Sequence, residues 1–157
     1  MKAKDIMVPI QDYLSPDATV KKAVNLLRTA VQKEQKNRVM GLPVIDDDRK
    51  LVGMLSMTDI LKAAYPAYMK MADLSEFTWD GMLESLARQE GNKKVKEIMT
   101  SPVITVQENN PLMECVDLLL KKHIRQMPVL NKAGNVVGML STRDIFCAVT
   151  QSMIENK

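Results

Sequence analysis

A chain of 157 residues with 46% hydrophobic and 26% charged side chains has the proportions of a globular protein, which excludes a disordered or fibrous one and leaves room for one ordinary domain or two small ones sharing a core. The net charge of +3 comes from 22 basic and 19 acidic residues spread along the sequence, and aromatics make up 4%, so neither a basic tract nor a set of stacking rings points to nucleic acid. No run approaches about 18 uncharged apolar residues, Met1–Asp5 carries no apolar signal core, and Cys115 and Cys147 lack metal-ligand spacing, so no membrane span, secretion, zinc site or disulfide is expected and a reducing cytoplasm fits.

In chain order, Lys4-Asp5-Ile6-Met7 leads into Val8–Leu14, and Val20, Ala23, Val24 and Leu27 then fall at i, i+3, i+4 and i+7, an apolar stripe on one helical face. After polar Gln32–Arg38 come two short apolar runs, Leu42–Ile45 and Leu51–Leu55, separated by the turn Asp46–Lys50: a hairpin-like strand pair. A helix is expected to start at Ser56. Residues 62–92 read as a helical connector, with Trp79, Met82, Leu83 and Leu86 again at helical spacing and Gly91 as a C-cap; that stripe covers either the chain's own core or a partner.

The same succession then returns. Lys96-Glu97-Ile98-Met99 precedes Thr100–Val106, which reads as a strand, and Asn110-Pro111 supplies an N-cap and first-turn proline for a helix striped by Leu112, Cys115, Val116 and Leu119. Met127–Leu130, the turn Asn131–Asn135 and Val136–Leu140 form the second strand pair, and a helix starts at Ser141. Pro43 to Pro128 and Asp59 to Asp144 are both 85 apart, whereas Met7 to Met99 is 92. The difference of seven residues is an insertion in the first copy near 28–40, and each copy reads β-α-β-β-α. Met7, Met54, Met99 and Met139 recur at matching places, best explained as adaptable core filling.

A duplicated unit with a K-x-I-M segment, a P-V-h-D strand and a G-h-h-S-x-x-D strand-to-helix junction resembles the cystathionine-β-synthase (CBS) domain family, from about Lys4 to Ala148. The resemblance implies an α/β (α+β) fold of two repeats, 1–74 and 93–157, packed about a pseudo-twofold axis with a helical connector at 75–92. It further implies clefts for adenosine-containing ligands, a disc-like homodimer, and a free-standing sensor acting on a regulated protein that the sequence does not identify.

At the junction, Gly53 or Gly138 lets a backbone or ligand approach closely, and a carboxylate at a helix start can accept both hydroxyls of a ribose. Following the family, Asp59 with Ser56 and Asp144 with Ser141 hold the ribose. Ser-x-x-Asp is equally a capping box, and the two roles are compatible. For phosphate, the resemblance to the family's basic position before the P-V strand makes Arg125 the first candidate and Arg38 its counterpart, with Arg143 and His123 nearby in sequence; each is otherwise a solvated charge. The base is expected against the strand carrying Thr100, Pro102 and Ile104. In the first copy Asp12 stands opposite Ile104, and a charge there is costly in an apolar pocket, so the two clefts are expected to be unequal.

Two functional classes follow. One is a regulatory module that binds AMP, ADP, ATP or S-adenosylmethionine and shifts its conformational population, with no cofactor required. The other is a structural or protein-interaction module with vestigial clefts. Catalysis is not expected, since there is no P-loop, nucleophile elbow, metal-ligand cluster or triad-like histidine.

Overall fold

The computed structural model describes residues 1–32, 41–65 and 82–155. The polar insertion after Gln32, Arg38 and Trp79 lie outside them. The elements, in order, are α1 (Ala3–Ile6), β1 (Val8–Pro9), α2 (Val20–Gln32), β2 (Gly41–Ile45), β3 (Leu51–Ser56), α3 (Met57–Ala64), α4 (Met82–Gly91), α5 (Val95–Ile98), β4 (Val106–Gln107), α6 (Leu112–Lys122), β5 (Gln126–Leu130), β6 (Val136–Ser141) and α7 (Thr142–Ile154). This is a mixed α+β fold in which the striped helix and the strand pair of each copy are present, and of the expected connector the described part is the helix Met82–Gly91.

The chain forms two compact units that are interleaved along the sequence. Unit 1 comprises Met1–Asp12, Asp48–Leu51 and Val103–Lys157; unit 2 comprises Tyr13–Asp47 and Val52–Pro102. Unit 1 holds a four-stranded sheet in the order β1-β6-β5-β4, with β1 and β5 antiparallel to β6 and β4 parallel to β5. In unit 2, β2 and β3 form the sheet, and two single bridges extend it: Leu14 beside Val44, parallel, and Thr100 beside Met54, antiparallel. The flanking positions are related by the 92-residue offset, Leu14 answering Val106 and Thr100 answering Val8.

The two cores repeat the same scheme. Unit 1 buries Ala3, Val106, Cys115, Leu119, Met127, Val129 and Leu140; unit 2 buries Val95, Leu14, Ala23, Leu27, Leu42, Val44 and Leu55 at the matching places. The stripes of α2 and α6 therefore lie in the cores with the strands, and the leading K-x-I-M turn packs in the core of the opposite copy from the one it precedes. Met7 and Met99 pack on these cores as gap fillers.

Local differences from the sequence reading have simple causes. Thr100–Val106 is not a continuous strand: Thr100 makes one bridge and regular pairing resumes at Val106, because Pro102 has no N–H to offer a ladder. Asn110 does not cap α6, whose cap position is Pro111. Its Oδ1 instead accepts from the Gln107 amide and its Nδ2 donates to Glu114 Oε2, fixing the turn before the helix. The unforeseen cap is Thr19, whose Oγ1 accepts from the Lys22 amide at the start of α2. Gly91 is the last residue of α4 rather than the residue beyond it, and of the connector stripe Leu86 is half-buried.

Cys115 is fully buried in the unit 1 core, where burial, reinforced by the Glu114 charge, raises its thiol pKa; Cys147 is exposed on α7. A thiolate-selective disulfide reagent at neutral pH should accordingly label one thiol per folded chain promptly and the second only on unfolding. Equal labelling rates, followed by absorbance and peptide mapping, would contradict the core placement of Cys115.

Candidate functional site

In unit 2 the backbone of β3 enters α3 through Ser56, extended at φ −106° and ψ 165°. Its hydroxyl accepts from the Asp59 amide at 3.1 Å, while Asp59 Oδ2 accepts from the Ser56 amide at 2.9 Å and from Ser56 Oγ at 3.0 Å. The other carboxylate oxygen is also engaged: Thr100 Oγ1 donates to Asp59 Oδ1 at 2.8 Å. Thr100 is delivered by the bridge to Met54, with N–H···O bonds of 2.8 and 3.0 Å in the two directions.

Unit 1 repeats this corner with differences. Ser141, at φ −111° and ψ 156°, accepts from the Asp144 amide at 3.1 Å and donates to Asp144 Oδ2 at 2.7 Å. Among the described residues nothing donates to Asp144 Oδ1. The register position of Thr100 is taken here by Val8, paired with Met139 as Thr100 is with Met54, and valine has no hydroxyl to give. Thr142 ties the start of α7 to the neighbouring strand, its amide and hydroxyl both donating to the Arg125 carbonyl at 2.8 and 3.2 Å.

The glycines before these corners are close-approach residues, but what approaches is the chain itself. A Cβ on Gly53 would strike the Met99 thioether, and one on Gly138 would lie 2.7 Å from Met7 Sδ and 2.8 Å from the Val8 carbonyl oxygen.

The ten candidate residues that are described separate between the units. Ser56, Asp59, Thr100 and Pro102 belong to unit 2; Ile104, Arg125, His123, Ser141, Arg143 and Asp144 belong to unit 1. Thr100, read from sequence as part of the second copy's site, meets the first copy's aspartate instead. Asp59 and Asp144 are half-buried, Arg125, Arg143 and His123 exposed, and Ile104 half-buried. His123 adopts the left-handed conformation at φ 53° and ends α6 with its amide donating to Leu119 O, a structural assignment for the chain's single histidine. Asp12 is exposed, so its charge stays solvated rather than facing an apolar surface. No group of three or more His, Cys, Asp or Glu suited to a metal occurs among the described residues.

Chemically, each corner offers a carboxylate fixed at a helix start beside a small polar side chain, with acceptor capacity for hydroxyl donors. In unit 1 the exposed guanidinium groups of Arg125, just before β5, and Arg143, in the first turn of α7, suit an anion.

Comparison with known proteins gives this arrangement a context. The sequence profile described as CBS domain matches residues 3–65 and 95–150. The CBS domain-containing protein CBSX1, chloroplastic, of Arabidopsis thaliana is 30% identical over 145 residues, 88% of this chain and 58% of its own length. An inosine-5'-monophosphate dehydrogenase of Methanocaldococcus jannaschii is 25% identical over 144 residues, which are 92% of this chain but 23% of the dehydrogenase. The chain thus spans little more than half of the first relative and under a quarter of the second. Among solved structures, CBSX2 in complex with AMP superposes with a TM-score of 0.70 at 26% identity, covering 97% of this chain and 98% of that one.

Proposed function

Because the chain belongs to the CBS domain family, with both repeats matched, we propose that it is a regulatory module whose Ser-x-x-Asp corners bind an adenosine-containing ligand, AMP, ADP or ATP in the first place, and whose occupancy signals to a partner protein. The observation that carries this reading is Asp144. Its half-buried carboxylate is fixed at the start of α7 by Ser141 and keeps one oxygen without a donor among the described residues. Such a group suits ribose hydroxyls, and exposed Arg125 and Arg143 in the same unit suit a phosphate. The likeness to a structure solved with AMP supports the ligand class, and S-adenosylmethionine shares the adenosine half.

The proposal is of a binding protein rather than a catalyst. The dehydrogenase likeness is confined to under a quarter of that enzyme, so its chemistry is not carried over. A homodimer belongs to the same reading: Phe146, Val149 and Met153 lie at i, i+3 and i+7 on α7 and are exposed, an apolar stripe suited to a second copy. A reducing compartment such as the cytoplasm suits the two unpaired cysteines, and no described helix is long and apolar enough to cross a membrane.

The second reading, an interaction module with unused corners, is favoured by the completeness of the capping box at Ser56 and Asp59. Thermal unfolding separates the two. AMP at ten times its dissociation constant should add about 1.4 kcal/mol of stability. In Asp144→Ala that increment should shrink or vanish, beyond the loss of about 1 kcal/mol that removal of a cap causes with or without ligand. Melting curves unmoved by AMP, ADP, ATP and S-adenosylmethionine alike would leave the interaction module standing.

A further inference from the structure

The two corners differ in how much of the carboxylate is already used. An ionised carboxylate offers roughly four acceptor directions over its two oxygens. Asp59 accepts three donors, the Ser56 amide, Ser56 Oγ and Thr100 Oγ1, which leaves about one direction open. Asp144 accepts only Ser141 Oγ among the described residues, leaving about three, with Oδ1 wholly open. A vicinal diol presents two hydroxyls at once and needs both.

We infer that the Asp144 corner is the diol-selective site, and that Thr100 makes the Asp59 corner a single-hydroxyl site that does not distinguish ribose from 2'-deoxyribose. The residue pair that sets this difference is Val8 and Thr100, which occupy the same register position on the edge of the two sheets. With valine there, nothing among the described residues competes for Asp144 Oδ1. With threonine there, a diol must displace a 2.8 Å hydrogen bond held by a residue whose amide and carbonyl are both bonded to Met54. This inference rests on the reading of both aspartates as ribose acceptors and adds to it an order of filling and a sugar preference for each.

The test is calorimetric titration of the full chain with AMP and with 2'-deoxy-AMP, on the wild type, Thr100→Val and Val8→Thr. Valine and threonine are nearly isosteric, so both variants should fold, and circular dichroism checks that they do. The wild type should show one tight AMP site per chain, weakened about tenfold or more for the deoxy ligand, since a hydrogen bond to a charged group is lost. Thr100→Val should gain a second tight, diol-selective site, and Val8→Thr should lose about tenfold in AMP affinity and most of its sugar preference. Two equal diol-selective sites in the wild type, or AMP binding that neither exchange alters, would overturn the inference while leaving nucleotide binding intact. Absence of binding by either ligand to all three proteins would instead remove the ribose reading and this inference with it.

Discussion

Deleting residues 1–12 should unfold the part of the molecule built from residues 103–157 and leave the part built from 13–102 protected. The segment supplies Ala3, fully buried, and Ile6 and Met7 to the unit 1 core. It also makes backbone bonds that nothing else can replace. The Ala3 and Lys4 amides donate to Asn110 and Glu108, Leu112 donates to Met1, and Ile10 donates to Val137, all at 2.9 to 3.2 Å. Losing that burial, those bonds and the β1 edge of the sheet amounts to about 5 kcal/mol or more, comparable with the whole stability of a small domain. Hydrogen exchange read by mass spectrometry should therefore rise in β5 and β6 while β2 and β3 keep their protection. A point-mutant version is Ala3→Asp against Val95→Asp, two buried positions 92 residues apart, where an unpaired charge should melt unit 1 in the first case and unit 2 in the second. Loss of protection in β2 and β3 on removing residues 1–12 would contradict the interleaving.

Replacing Gly138 with valine should cost about 3 kcal/mol, the upper end of overpacking, and considerably more than the same change at Gly53. At Gly53 the obstacle is the Met99 thioether, the far end of a flexible side chain that can change rotamer. At Gly138 the new Cβ meets Met7 Sδ and also the Val8 carbonyl oxygen at 2.8 Å, and that backbone is committed to pairing with β6. A double-mutant comparison sharpens the contrast. Met99→Ala should recover most of the loss in Gly53→Val, whereas Met7→Ala should recover little of that in Gly138→Val. Denaturant midpoints at unchanged slope are the measurement, and full rescue by Met7→Ala would show that the backbone contact is not the obstacle.

The sequence carries the repeat, and the repeat carries the corners. Once Pro43 and Pro128, Asp59 and Asp144 fall at one offset, the helix starts at Ser56 and Ser141 follow from capping chemistry alone, and both are present. The buried faces were equally legible, because Ala23, Leu27, Cys115 and Leu119 sit at the spacing that a helix turns to one side. What periodicity does not contain is which sheet a short leading segment joins. Thr100 reads as the opening of the second copy and bonds instead to Asp59, 41 residues earlier, a choice made by tertiary pairing at Met54. The 92-residue offset does place Thr100 opposite Val8, so the difference between the corners is written in the chain, but only the pairing gives it meaning. Asn110 shows the limit of a local rule: a good capping residue beside a proline was drawn to the turn before it, where the Gln107 amide needed an acceptor.

The interleaving has a consequence during translation. Residues 1–12 leave the ribosome while the strand they will pair with, β6, has yet to be made, and at about 5–20 residues per second the wait is on the order of ten seconds. Unit 2 can close once Thr100 has emerged, so the nascent chain carries one finished half and one unpaired apolar tag until Ser141 appears. Speed of synthesis through the second repeat, and any chaperone that shields Ile6 and Met7 meanwhile, would then govern the yield of native protein more than the stability of either finished half.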